Sequence, residues 1–158
     1  MSEKAFDATK SVMGMFGAFF KAVAQEIGVD RAFGLLSETF DGLGAMAGKM
    51  TKEQMGLEKL DVDTASSIYK GICEVYGISP EIEKSPTKAV FRCSKCSFYE
   101  GLQSAGIDHE TNRSFCSKGL AVMVNSLVEN LDPTAVYNFT KFRSEPYDFC
   151  EEEIIIKK

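Results

Sequence analysis

Phe6, Thr9, Met13, Phe16, Phe20, Val23 and Ile27 recur at alternating spacings of three and four, the period that puts side chains on one face of an α-helix. Val12, Met15 and Phe19 widen this stripe. So broad an apolar face implies deep burial or a homodimer through the N-terminal helix. Gly14 and Gly17 would admit a neighbouring backbone. Gly28 is the expected stop and Asp30 the expected cap of a second helix carrying Phe33, Leu36, Phe40 and Leu43, which frays in GLGAMAGK. Thr51-Lys52-Glu53-Gln54 has the form of a capping box and begins a short helix. Asp63 caps a further one, with Ile68, Ile72, Val75 and Tyr76 inward, Cys73 beside them and Gly77 at its end.

After Ser79-Pro80 the period shortens to two. Ala89, Phe91 and Cys93 alternate with Val90 and Arg92, which predicts a strand over residues 88–93. A short helix follows from about Cys96 to Gln103. Asp108 or Thr111 caps a longer one whose inner face is Cys116, Leu120, Val124, Leu127 and Leu131, closed by Asp132-Pro133. VYNFTKFR and CEEEIIIK read as a terminal hairpin, with Cys150, Glu152, Ile154 and Ile156 pointing one way. The pattern is α+β: N-terminal helices over residues 1–78, then a small antiparallel sheet with helices on one face over residues 79–158, in a single domain.

Charge removes some functions. The net charge is −5 with no cluster of Lys and Arg, so no nucleic-acid partner is expected. The run Val12–Phe20 is too short to cross a bilayer, so no membrane partner is expected. Glu3 and Asp7 offset Lys4 and Lys10, unlike a secretory leader, which suits a cytoplasmic location.

That location makes the five cysteines informative, because disulfide frameworks are rare there and metal or redox sites commoner. Cys93 and Cys96 form a C-x2-C pair, with Cys116 and Cys150 downstream. Cys93 ends a strand, Cys96 and Cys116 open helices, and Cys150 opens the last strand beside Arg143. Such placement converges four thiolates on one Zn2+ or one [4Fe-4S] cluster. Each cysteine taken alone also fits a packed core, and Cys93 with Cys96 also fits a redox dithiol. Tyr99 and Arg143 are candidate ligand-binding residues, Arg143 through its planar fork. His109 sits in a charged loop. Glu151, Glu152 and Glu153 are expected to keep a strand edge soluble.

Cys96, Tyr99, Gly106, Phe115-Cys116, Arg143 and Cys150, spread over roughly residues 88 to 156, resemble the L-2-amino-thiazoline-4-carboxylic acid hydrolase-like family. The same stretch is similar to vinyl-reductase-type small-molecule-binding domains. The resemblance implies an α+β fold with a pocket between sheet and helices and, for the vinyl-reductase type, a cysteine-rich zinc site supporting ligand binding. Gly119 stands where the hydrolase-like group carries an acidic residue. The resulting expectation is a sensor or accessory protein that binds a small molecule at a four-cysteine metal or iron–sulfur site. A hydrolase of a small cyclic amide-like or thiazoline substrate and an electron carrier are the alternatives.

Overall fold

A computed structural model describes residues 3–157. The broad apolar stripe becomes α1 (Glu3–Ile27), and Gly28 at φ 88° turns the chain into α2 (Val29–Met55). Two sequence expectations change here. No side chain caps α2, so Asp30 is not its cap, and the helix continues through GLGAMAGK and TKEQ to a left-handed Gly56. Two of its glycines, Gly44 and Gly48, are contact positions. A Cβ on Gly44 would collide with the Met123 carbonyl, and one on Gly48 with the Leu127 carbonyl. The absent side chains thus let two helix backbones meet, and this packing outweighs the intrinsic helix-weakening effect of glycine.

Helix α3 (Val62–Val75) is capped by Asp61, which accepts from the Thr64 amide, two residues before the expected cap. Its inner face is Ala65, Ser66, Tyr69 and Cys73, while Val75 lies in solvent. Strand β1 (Glu81–Ser85) was not expected, since all but Ile82 of its side chains are exposed. It forms a hairpin with β2 (Lys88–Cys93). Then come α4 (Ser97–Ser104), α5 (His109–Phe115) capped by Asp108, a π turn (Cys116–Leu120) and α6 (Ala121–Leu131). β3 (Ala135–Lys141) and β4 (Cys150–Ile156) form the expected terminal hairpin.

The strands lie in the order β1-β2-β4-β3, all antiparallel. Ala89, Phe91 and Cys93 of β2, Tyr137 of β3 and Ile154 of β4 face α3 and α6, forming the larger core with Val124, Leu127, Val128 and Leu131, and Cys150 is buried on the same face of the sheet. The opposite face carries ion pairs of Lys88 with Glu153 and of Arg92 with Glu83 and Glu151. The arrangement is therefore α+β with helices on one face of the sheet. A second core joins Met13, Phe20, Phe33, Leu36, Leu102 and Phe115 of the helical layer. Gly14 and Gly17 make room for α4, meeting Ser104, Leu102 and Ala105. No described helix is long and apolar enough to cross a membrane.

The glycine contacts are testable by urea denaturation. Gly44→Ala is expected to cost about 1–3 kcal/mol, because the added methyl meets rigid backbone. Gly34→Ala, where a Cβ meets nothing within 4 Å, is expected to stabilise by about 0.5–1 kcal/mol.

Candidate functional site

Alternation along a pleated sheet puts Cys93, Cys150 and Glu152 on its inner face, and antiparallel register sets Cys93 opposite Cys150 and Phe91 opposite Glu152. Here the layers leave a cavity of about 80 Å³. Its wall includes all five cysteines: Cys73 from α3, Cys93 and Cys150 from the sheet, Cys96 before α4, and Cys116 from the π turn. Tyr69, Tyr76, Phe98, Tyr137 and Phe139 supply aromatic surface, and among the described residues Glu152 is the only charged one in the lining. The π turn sets the entry of Cys116 and Leu120; such turns recur at functional sites and leave little trace in a hydrophobic pattern.

The four cysteines expected to hold Zn2+ or an iron–sulfur cluster are gathered, but around a cavity. Among the described residues, no group of three or more His, Cys, Asp and Glu is placed to hold a metal ion. This overturns the four-cysteine metal or cluster function of Cys93, Cys96, Cys116 and Cys150, and with it the iron–sulfur electron carrier. All five cysteines are free thiols. Burial pushes Cys96 up to about 12 and raises Cys116 and Cys150. Cys93 is raised first by its hydrogen bond with the Cys73 thiol and then by burial. Arg143 pulls in the opposite direction on Cys93, Cys96, Cys116 and Cys150 without prevailing. These four thiols are neutral apolar surface.

Tyr99 and Arg143 lie behind this wall rather than on it. Arg143 is 2% exposed. It donates to the carbonyls of Cys93 at 2.9 Å, Ser94 at 3.0 Å and Pro146 at 3.1 Å, and to the Cys150 sulfur at 3.4 Å. Its guanidinium lies 4.6 Å from the centre of the Tyr99 ring. The planar fork expected to seize a ligand carboxylate is occupied by backbone. Tyr99, 1% exposed, accepts from Gln103 at 3.0 Å and lies 3.2 Å from Nδ1 of His109. His109 is thus packed against Tyr99 and Phe142 at the start of α5, away from the cavity lining.

Glu152 departs furthest from expectation. Its strand is central, and its carboxyl turns inward, where Oε2 accepts the hydroxyls of Tyr69 and of Tyr137, the latter at 2.7 Å. Burial raises its pKa, with both tyrosine bonds opposing. The signal was present in the sequence: Glu152 shares the parity of Cys150 and Ile154.

No family model matches this chain, and no curated protein matches it. Among solved structures, it is similar to a trafficking protein particle complex subunit 3 from Naegleria fowleri covalently bound to palmitic acid. The TM-score is 0.59 at 13% identity, over 92% of this chain and 95% of that one. At that identity the likeness establishes a shared fold.

Two measurements check the site. Equilibrium unfolding is expected to show that Arg143→Met costs about 3 kcal/mol or more, since charged donors to buried acceptors contribute about 1.5–3 kcal/mol each; Arg143→Lys restores only part of the loss. The native Glu152 carboxyl keeps its proton to higher pH than the unfolded one, so the stability it contributes is full below about pH 4.5 and is lost as pH rises through the native value. Wild type is therefore expected to lose stability relative to Glu152→Gln as pH rises above about 4.5; a constant difference would contradict this.

Proposed function

We propose that this chain is a non-catalytic binding subunit that holds a small apolar molecule in the thiol-lined cavity. The supporting observation is the lining itself: aromatic rings, aliphatic side chains and neutral thiols with one carboxyl, the composition of a small-molecule pocket. The similar Naegleria fowleri subunit carries covalently bound palmitic acid, which favours a hydrocarbon occupant. The cavity, at about 80 Å³, is roughly half the ~150 Å³ that accepts benzene in an engineered apolar cavity. A short chain or small ring fits this reading better than a long acyl chain in an unexpanded cavity. The resemblance to vinyl-reductase-type small-molecule-binding domains supports a pocket in the same place.

A second observation favours a protein partner, a second copy of this chain. Val12, Met15 and Phe19 of α1 are 56%, 68% and 65% exposed, and Leu35, Leu43, Met46 and Met50 of α2 are also exposed. These side chains give the wide stripe a purpose that the fold of one chain leaves unmet. The similar structure's being a complex subunit agrees with assembly.

Xenon and propane test the cavity. Each is expected to shift the methyl resonances of Ile72, Leu120 and Val124, and to raise unfolding stability by about 2.7 kcal/mol at a hundredfold excess over Kd. Val124→Phe, which fills the space, is expected to abolish both effects; unshifted methyls in wild type would refute the pocket. Light scattering across a concentration series tests the dimer. Phe19→Asp is expected to give a monomer with unchanged helicity, and a wild type that stays monomeric would refute the partner assignment.

A further inference from the structure

The Glu152 carboxyl has one committed oxygen and one uncommitted oxygen. Tyr69 and Tyr137 both donate to Oε2, while Oε1 has no hydrogen-bond partner among the described residues. Glu152 stands among buried core residues yet keeps accessible surface, and it lines the cavity. Among the described residues, no basic side chain shares that lining. Arg143, the nearest buried cation to the thiols, has its donors on backbone carbonyls and Cys150. Oε1 keeps open space in front of it, since among the described residues the fully buried side-chain oxygen without a partner is Asn112 Oδ1. A purely hydrocarbon ligand would cover Oε1 without offering a donor, which is costly, whereas a ligand that brings its own donor avoids that cost.

The two tyrosines reinforce this selectivity. Each spends its hydroxyl proton on Oε2, so neither is free to donate to a ligand acceptor. Their rings and that of Phe139 line the same space, and aromatic faces attract cations. With the carboxyl ionised, the wall therefore offers an acceptor, electron-rich faces and apolar bulk.

We propose that Glu152 Oε1 is the recognition point of the cavity, selecting a small apolar molecule that carries one hydrogen-bond donor, a hydroxyl or a protonated amine. This deepens the apolar-ligand reading and rests on it. Tyr69 and Tyr137 are positioning residues that orient the carboxyl, and the thiols and rings hold the hydrocarbon part.

The test compares propane, ethanol and ethylamine, which are matched in size and small enough for the cavity, by titration of isotope-labelled protein followed through methyl shifts of Ile72, Leu120 and Val124. Ethanol or ethylamine is expected to bind about tenfold or more tighter than propane, the advantage of a donor meeting a charged or polar buried acceptor. Preference for ethylamine identifies an ammonium site, and preference for ethanol a hydroxyl site. In Glu152→Gln the ethylamine advantage is expected to vanish while part of any ethanol advantage persists, because an amide oxygen still accepts. In Glu152→Met both advantages are expected to vanish and propane to bind as before. Equal binding of all three ligands to wild type would overturn the assignment of Glu152 and leave the apolar pocket standing. Binding of none would overturn both readings. A donor preference that survives in Glu152→Met would place recognition elsewhere. Should neither variant fold, the wild-type comparison alone decides.

Discussion

The structure depends on a buried cation without an acidic partner. Arg143 leaves solvent almost completely, and its compensation comes from three carbonyl oxygens, a sulfur and the face of Tyr99. Those acceptors belong to the end of β2, the turn after it, the 144–149 connection and the start of β4. One side chain therefore pins residues 93–94, residues 146–150 and the ring of Tyr99 at the same corner. A guanidinium can do this because its donors diverge in a plane and its charge is weakly hydrated. The C-x2-C turn and Cys150 owe their positions on the cavity wall to that corner.

The cavity follows from how the layers meet. Backbone contact at Gly44 and Gly48 draws α2 against α6, and α6 in turn covers the sheet. The π turn ahead of α6 brings Cys116 and Leu120 to the same space as Cys73 and Cys96. Thiols suit such a wall: buried and neutral, they are small, polarisable and undemanding of hydrogen bonds. Glu152 is the exception, a polar group that the surrounding packing satisfies on one side only.

Much of this was legible in the sequence. The three-four spacing of α1, the alternation of β2 and the terminal hairpin each reflect a local period, and local periods survive folding. The juxtapositions of Cys93 with Cys150 and of Arg143 with Cys150 followed from strand direction alone. Other features depended on distant partners. α2 runs past Gly44 and Gly48 because α6 lies against them, and α3 turns Tyr69 and Cys73 inward because Phe91 and Cys93 await them. β1 has almost no buried side chain to betray it. Cysteine spacing shows that sulfurs converge, but it cannot distinguish a shared ion from a shared void, since both demand the same strand ends and helix starts. The reading of Glu152 as an edge charge failed because β4 is interior, a fact of strand order rather than of composition.

Phe98 belongs to both halves of the molecule. Among the described residues it alone packs against the sheet core and the helical core together, and it also borders the void, edge-on to Tyr76 with ring centres 4.8 Å apart. Interiors this dense transmit displacement rather than absorb it. A guest that tilts this ring thereby disturbs how α1 and α4 sit, and whatever stiffens those helices from outside alters the room left for the guest, with equal coupling in the two directions.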